Sequence, residues 1–554
     1  MPKFPGFIGP TYQDRSPRAD AEHCINWYPS RLESGAGVNT YTYHATPGLA
    51  LFADTEDGGP IRGISNFIVQ GVYFYVVSGT EVYKVNAATG AVGASLGTIA
   101  DDAAHSAVPM ELNGTQVFLV SAGTPYLIDI VTDLFVPIVG LTGSFRGAIF
   151  LDGYFLTFEI GTQIFHVSDL YEGSNWDPLE VASAEAYPDG LNSILQDHAE
   201  LWLFGDPTTE VWYDAGEEDF LFRRIPGAII IQGCFAPASP VAMDNAVFWM
   251  GSSVWRARGY IPERISTHAL EFAMQHYAAT DDAIGFQYKE EGHWFYVLYF
   301  PTADVTWAYD AATGMWHERQ SFVDGAQGAW LIRAMMSSQL IGGSRVDGKL
   351  YRVSSTHLDE DGVAITRERV APHLNEQKNW VFYPRFGLNV ETGKGQLAIT
   401  EGSITGDPLT SIITWTGVKV DYRGVSYTIT NGSTTDAYIY WELSAPTVFS
   451  DSPTLPALGL NDVLIGQNNA GVYASLWETT QAMYYLSYSD DGGNTWSTPI
   501  GKTSGARGDY KRLVRWNNLG RSRDRIFKVT FASPTEASMI DAYVGMTAGT
   551  DGRE

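Results

Sequence analysis

The chain has 554 residues, of which 45% are apolar and 13% aromatic, so it is long enough for several domains and a large core. It carries 63 acidic and 35 basic residues, which gives a formal charge of −28. Such a surface repels nucleic acid by default, so the composition does not indicate a protein that binds DNA tightly. This charge either keeps the protein soluble or forms an acidic wall along which DNA moves without sticking.

The sequence also lacks the marks of secreted, membrane and metal-binding proteins. Its two cysteines, Cys24 and Cys234, do not predict a disulfide framework, and no close group of four Cys/His residues predicts zinc. The first residues contain no apolar segment typical of a signal peptide, and no run of about 18 apolar residues exists to span a membrane. We therefore expect no metal. No catalytic residue and no cofactor are predicted either, because no motif of the sequence establishes one.

Seven related segments recur from residue 69 onward. In each, an apolar or aromatic strand follows a polar turn, and a second strand ends near Asp, Asn or Ser. The segments are 69–90, 112–133, 151–170, 198–216, 244–260, 291–314 and 337–354. A spacing of about 40 to 50 residues is typical of four-stranded propeller blades. The sequence predicts an all-β fold with a β-propeller of about seven blades over 51–370. Residues 1–50 are predicted to be an arm that completes the propeller or contacts neighbours.

One segment departs from this β pattern. In STHALEFAMQHY (266–277), Leu270, Ala273, Met274 and Tyr277 recur at helical spacing after Ser266 and Thr267, either of which is a suitable N-cap. The pattern predicts one short helix between strands.

The composition changes after residue 370. Strand-like segments at 371–396 and 481–554 predict a discontinuous C-terminal β-sandwich. Between them, the Thr/Ser/Gly-rich stretch 397–480 contains its own strand patterns and a tight Asn431-Gly432 turn. This stretch is predicted to be a small β module inserted into the sandwich.

SDDGGNTW (489–496) matches an Asp box, a motif best known from sialidase propellers. Its pattern residues are Ser489, Asp491, Gly493, Thr495 and Trp496. An Asp side chain in such a turn accepts backbone N–H bonds, and glycine supplies a positive φ. The motif favours a structural turn. The alternative, sugar cleavage, requires an arginine cluster, a nucleophile and an acid that the motif does not contain.

A basic cluster stands out against the acidic background. Its members are Lys511, Arg512, Arg515, Arg521, Arg523, Arg525 and Lys528. Alternation along a strand predicts that several of them share one face. They either protect a solvated edge strand from aggregation or contact an acidic neighbouring subunit or DNA.

The order of several motifs resembles the packaged-DNA stabilisation proteins, also called tail hub or tail accessory proteins, of short-tailed bacteriophages. The resemblance covers nearly the whole chain except 397–480. It rests on INWYPSRLE (25–33), YHATPGLALF (43–52), FHVSDLYEGSNWDPLEVASAEAYPDGL (165–191), YDAATGMWHER (309–319) and SDDGGNTWS (489–497).

This resemblance implies a propeller joined to a β-sandwich, forming a hexameric ring of the virion tail that is assembled in the host cytoplasm. It also implies partners: a head-to-tail adaptor ring, a tail needle or tip protein, tail fibres or tailspikes, and double-stranded DNA that passes without sequence-specific contact. The ring would retain packaged DNA and form the ejection channel, and the family pattern includes no catalytic residues.

Two alternatives stay open at this point. The Asp box and the 16 tryptophans also suit a sugar-binding or sugar-cleaving propeller, because exposed tryptophan stacks on sugar rings. The 397–480 stretch, in turn, suits a receptor-binding tail protein that acts through this insert.

Overall fold

The computed structural model describes residues 1–34, 39–217, 220–377, 379–391, 398–407, 412–422, 425–428, 431–435, 438–441, 449–452, 463–467, 482–505 and 512–549. It divides into two compact units. The propeller unit comprises Gly9–Pro29 and Thr46–Thr366, and the C-terminal unit comprises Met1–Ile8, Ser30–Ala45 and Arg367–Glu554. Among the helices of the described segments, none is long and apolar enough to cross a membrane.

The described part of the propeller unit contains seven antiparallel four-stranded blades. Blade one consists of Ile61–Ile64, Tyr73–Ser78, Glu81–Asn86 and Val92–Thr98. Blade two consists of Met110–Leu112, Gln116–Ser121, Thr124–Asp129 and Phe135–Pro137. Blade three consists of Phe145–Leu151, Tyr154–Glu159, Ile164–Val167 and Val181–Ser183. Blade four consists of Leu191–Asp197, Glu200–Gly205, Thr209–Asp214 and Phe222–Ile230. Blade five consists of Val241–Met243, Ala246–Met250, Val254–Arg258 and Ile261–Arg264. Blade six consists of Ile284–Glu290, His293–Phe300, Val305–Asp310 and Met315–Val323. Blade seven consists of Ile332–Met336, Ile341–Ser344, Lys349–Ser354 and Gly48–Asp54.

Each of the seven sequence repeats corresponds to the central hairpin of one blade, so the predicted all-β propeller is confirmed. The polar residues that end these hairpins hold the next turn. The Asn86 side chain accepts the backbone N–H groups of Ala88 and Thr89 at 3.0 and 2.9 Å, and the Asp129 side chain does the same two and three residues further on. The recurring Asp or Asn therefore has a local cause, because these side chains replace missing backbone partners in turns.

The apolar core lies between neighbouring blades. Tyr75 of blade one and Leu119 of blade two belong to one buried cluster, and Phe158 of blade three and Leu203 of blade four belong to another. From blade two onward, the first strand of each blade contacts that of the next, including blade seven against blade one. Val108, just before the first strand of blade two, donates its N–H to the Arg62 carbonyl of blade one. The blades thus form a closed ring, since a single blade cannot bury both of its faces.

The ring is closed by a strand from the N-terminal side of the chain. Gly48–Asp54 pairs antiparallel with Lys349–Ser354 and supplies the fourth strand of blade seven. A side chain at Gly48 would place its Cβ 2.3 Å from the Asp359 carbonyl oxygen, so the close approach of these two backbones requires glycine. This closure ties residues about 300 positions apart in sequence, as the register of the two strands shows.

The predicted helix is present as His268–Met274, and Thr267 is its N-cap, whose hydroxyl accepts the Leu270 N–H at 3.2 Å. The remaining strands of the propeller unit are Tyr12–Gln13, Ala21–Ile25, Ala326–Ala329, Asp359–Glu360 and Val363–Ala364, and Trp27–Arg31 leads out of this unit.

The C-terminal unit is built on two sheets. One contains, in order, Tyr41–Ala45, Met539–Ala548, Val381–Val390 and Val514–Asn517, and Arg521–Ser522 also pairs with Val381–Val390. The other contains, in order, Arg367–Val370, Asp524–Phe531, Met483–Ser489 and Ile500–Thr503, and Leu374–Asn375 also pairs with Asp524–Phe531. Phe386 of the first sheet packs against Phe527 of the second with ring centroids 5.0 Å apart, and Phe4 packs on both. This face-to-face packing makes the predicted β-sandwich.

Within the predicted insert at 397–480, the described residues form two further sheets. One contains Ala398–Asp407, Ile412–Tyr422, Val425–Thr428 and Gly432–Thr434. The other contains Tyr438–Trp441, Phe449–Ser452 and Val463–Gln467. The domain boundaries predicted from the sequence stay predictions.

Candidate functional site

The Asp box forms a compact turn at the end of the strand Met483–Ser489. The Asp491 carboxylate accepts the Thr495 N–H at 2.9 Å and the Thr495 hydroxyl at 2.7 Å, and the Ser489 hydroxyl donates to it at 2.7 Å. Gly493 has φ +91° and donates its N–H to Ser489 Oγ at 2.8 Å. These hydrogen bonds lower the pKa of Asp491 to about 2. The motif residues thus bond mainly to one another.

The stability of this turn is expected to depend on pH. The ionised Asp491 accepts the bonds, and its pKa falls from an ordinary 3.8 to about 2 on folding, so the stabilisation is complete above about pH 4 and is lost as the pH falls toward 2. We expect Asp491→Asn to lower the urea midpoint by a constant amount above pH 4. The difference from the unsubstituted protein should shrink below that pH, whereas Glu376→Gln, outside the turn, should leave the pH profile unchanged. A difference that stays constant down to pH 2 would contradict this role for the carboxylate.

The neighbouring Asp490 joins the Asp box to the basic cluster. It accepts two hydrogen bonds from the Arg525 guanidinium, from Nε at 2.6 Å and from Nη2 at 2.7 Å. The Arg525 side chain is only 2% exposed and lies 4.0 Å from the ring centroid of Tyr488 and 4.8 Å from that of Tyr383. A buried guanidinium that makes a bidentate pair with a carboxylate and contacts two aromatic rings stabilises the sandwich.

Lys528 also turns inward. Its ammonium lies 3.4 Å from the Glu368 carboxylate and 4.5 Å from the ring centroid of Trp496, the last residue of the Asp box. Two of the seven predicted contact residues, Arg525 and Lys528, are therefore engaged inside the C-terminal unit, and both meet the Asp-box segment.

The other described members of the cluster are exposed. Arg515 is exposed on the strand Val514–Asn517, and Arg512 is exposed just before it. Arg521 and Arg523 both approach the Trp380 indole, with guanidinium-to-centroid distances of 4.5 and 5.0 Å. Lys511 lies outside the described residues. The predicted contact role of these side chains stays a prediction.

Beside this arginine pair lies a groove that sequence patterns did not reveal. Its volume is about 440 Å³, and its lining residues are Phe382, Tyr383, Pro384, Asn518, Gly520 and Thr547. Proline has no N–H, and the pairing register shifts between Phe382 and Arg385. The segment after Asn517 bonds to this bulge instead, since Asn518 and Leu519 donate to the carbonyls of Pro384 and Tyr383. The sequence signal for this bulge was Pro384, a proline within a strand-like run.

The described segments contain no group of three or more His, Cys, Asp or Glu residues arranged to hold a metal ion. Cys24 and Cys234 are buried and form no disulfide, and burial raises the pKa of the Cys234 thiol to about 12, which keeps it a poor nucleophile.

Comparison with solved structures gives matches of low identity and low TM-score. The chain is similar to a chain of the crystal structure of a mitotic checkpoint complex, with 11% identity, 56% of this chain and 95% of that chain covered, and a TM-score of 0.35. It also resembles virginiamycin B lyase from Staphylococcus aureus, with 10% identity, 55% and 99% covered, and a TM-score of 0.38. No curated protein sequence matches the chain.

Family comparison is more informative. Residues 22–358 match the family described as bacteriophage P22 Gp10, beta-propeller, and residues 441–547 match the one described as bacteriophage P22 Gp10, beta-sandwich. The first match alone covers more than half of the chain, and it spans all seven blades found in the propeller unit. The resemblance derived from the motifs is thereby confirmed, and the chain belongs to the bacteriophage P22 Gp10 family of phage structural proteins that stabilise packaged DNA.

Proposed function

We propose that this chain is the subunit of a tail hub or nozzle ring that lies below the head-to-tail adaptor. The ring retains packaged DNA, continues the channel through which DNA leaves, and carries fibres or tailspikes together with a needle or tip protein. The family membership supports a structural role in the tail, and the distribution of charge described next supports the assembly and the channel.

The observation that carries the proposal is the uneven division of charge between the two units. The propeller unit holds 43 acidic and 16 basic residues, whereas the C-terminal unit holds 20 acidic and 19 basic residues. Nearly all of the net charge of −28 therefore belongs to the propeller unit. An acidic channel wall formed by the propeller units would repel DNA phosphates. DNA retained by a closed tip would then remain free to slide once the tip opens.

The sugar-active alternative loses its main support. The Asp-box carboxylate is engaged by its own turn, and the adjacent arginine is paired with Asp490 and stacked between aromatic rings. The alternative of receptor binding through 397–480 stays a prediction, which deletion of that stretch tests through adsorption of otherwise intact particles.

A phage with a stop codon early in this gene tests the proposal. We expect its heads to package DNA and then lose it, so purified particles hold a small fraction of the normal DNA content by absorbance and electron microscopy. Supplying the protein during assembly restores filled particles. Filled, stable particles that lack the protein would overturn the proposed function.

A further inference from the structure

We propose that copies of this chain associate head to tail through two different surfaces, an inference that rests on the proposed ring and names its contacts. The first surface, here called the arginine groove, belongs to the C-terminal unit and consists of Trp380, Phe382, Pro384, Arg521 and Arg523. The second, here called the rim patch, belongs to the propeller unit and consists of Val139, Asp177, Leu179 and Glu180. The rim patch of one copy docks into the arginine groove of the next.

The arginine groove combines an apolar floor with fixed cations. Phe382 is 44% exposed and pairs in register with Arg521 on one side and Thr547 on the other, so the three side chains share the outer face of the sheet. Trp380 lies beneath the guanidinium groups of Arg521 and Arg523 and holds them beside the groove. Such stacking pre-orients a guanidinium for a carboxylate and reduces the entropy lost on binding.

The rim patch has the opposite chemistry. Leu179 and Val139 are 86% and 87% exposed, the two largest values among the large apolar side chains of the described residues. Asp177 and Glu180 flank Leu179, and the Asp177 carboxylate accepts the Leu179 N–H at 2.9 Å, which fixes the turn that presents the leucine.

The two parts of the rim patch are held close by the fold. The backbone of Gly140 packs against Trp176, whose indole is buried and donates to the Gly173 carbonyl at 2.8 Å. Val139 immediately precedes Gly140, and Leu179 follows Trp176 by three residues, so this contact brings the two exposed side chains to one region of the propeller unit. A preformed apolar patch with two carboxylates matches a groove with an aromatic floor and two arginines.

A second copy suits the arginine groove better than DNA does. A phosphate backbone would pair with Arg521 and Arg523 but would leave Phe382 and Pro384 without an apolar partner. DNA would also have to approach a chain with a net charge of −28. The propeller unit of a second copy, with 43 acidic and 16 basic residues, is instead attracted by the exposed arginines. Leu179 of that copy supplies the apolar partner that fills the arginine groove.

Each copy carries one of each surface, so the contact is heterologous. A heterologous contact adds copies one after another and closes into a ring when the rotation between neighbours permits. The basic cluster is thus divided by role, since Arg525 and Lys528 stabilise the sandwich and Arg521 and Arg523 bind the neighbour.

Two variants of the full chain test this inference by sedimentation velocity and native mass spectrometry. The groove variant is Arg521→Glu/Arg523→Glu, and the rim variant is Leu179→Lys/Glu180→Lys. The matched control, Arg31→Glu/Lys502→Glu, reverses two exposed charges of the C-terminal unit outside the groove. We expect the unsubstituted and control proteins to form the same higher oligomers, and each variant alone to associate at least tenfold more weakly. An equimolar mixture of the two variants should give a 1:1 dimer and nothing larger, because only one intact pair of surfaces is present.

Several outcomes overturn the inference. If both variants assemble like the unsubstituted protein, the assignment of surfaces is wrong while the ring itself stands. If the mixture stays monomeric, or if one variant dimerises with itself, the two surfaces do not bind each other. If the groove variant loses salt-dependent DNA binding and still assembles, DNA is the occupant. An unsubstituted chain that stays monomeric at every concentration contradicts the proposed ring as well.

Discussion

Replacing Leu49 with aspartate is expected to destabilise the propeller unit by about 4 kcal/mol or more. Leu49 is 1% exposed and lies on the closing strand Gly48–Asp54, where it packs in one cluster with Ile332, Tyr351 and Val353. The substitution removes a buried side chain and places an unpaired carboxylate in its site. Because the strand closes the ring, we also expect blade seven to separate from the rest of the ring.

Urea unfolding and proteolysis measure this effect. Leu51→Asp is a matched control, since Leu51 lies on the same strand and is 47% exposed, and a change of that kind at the surface is usually within about 0.5 kcal/mol. Equal destabilisation by the two substitutions would mean that the strand contributes little through its buried face, contrary to the closure described above.

Replacing Arg525 with methionine is expected to destabilise the C-terminal unit by about 3 kcal/mol. The substitution removes the two hydrogen bonds to Asp490, the bond from Nη1 to the Leu519 carbonyl and the stacking against Tyr383 and Tyr488. The Asp490 side chain is 44% exposed and regains water, which limits the loss. Arg525→Lys keeps the charge but not the planar fork, so its effect should be smaller.

Denaturant unfolding of both variants checks this prediction, with Arg515→Met as the control. Arg515 belongs to the same basic cluster but is exposed on the strand Val514–Asn517, so its replacement should change the free energy of unfolding by no more than about 0.5 kcal/mol. If Arg525→Met and Arg515→Met behave alike, the division of the cluster into inner and outer members is wrong.

The blades could be predicted because their causes are local. Each repeat carries its own alternation of apolar strands and polar turns, and the turn residues Asn86 and Asp129 bond to backbone groups two and three positions away. The helix His268–Met274 was predictable for the same reason, since its N-cap and its apolar spacing both lie within the segment.

The site was less predictable because its contacts join distant segments. Arg523 and Arg525 look alike in sequence, yet the strand Asp524–Phe531 buries Arg525, Ile526 and Phe527 in succession, and this run breaks the alternation that predicted a shared face. Burial of Arg525 depends on Asp490, which lies 35 positions earlier in the chain. The groove likewise depends on Pro384 meeting Asn518, so only the fold brings its lining together.

A localised cryo-electron microscopy reconstruction of the virion tail tests the central claim most directly. The account predicts several copies of this chain in a closed ring around the DNA path, below the head-to-tail adaptor, with the propeller unit of each copy against the C-terminal unit of the next. Density for this chain as isolated copies away from the DNA path, or its absence from the virion, would contradict the account.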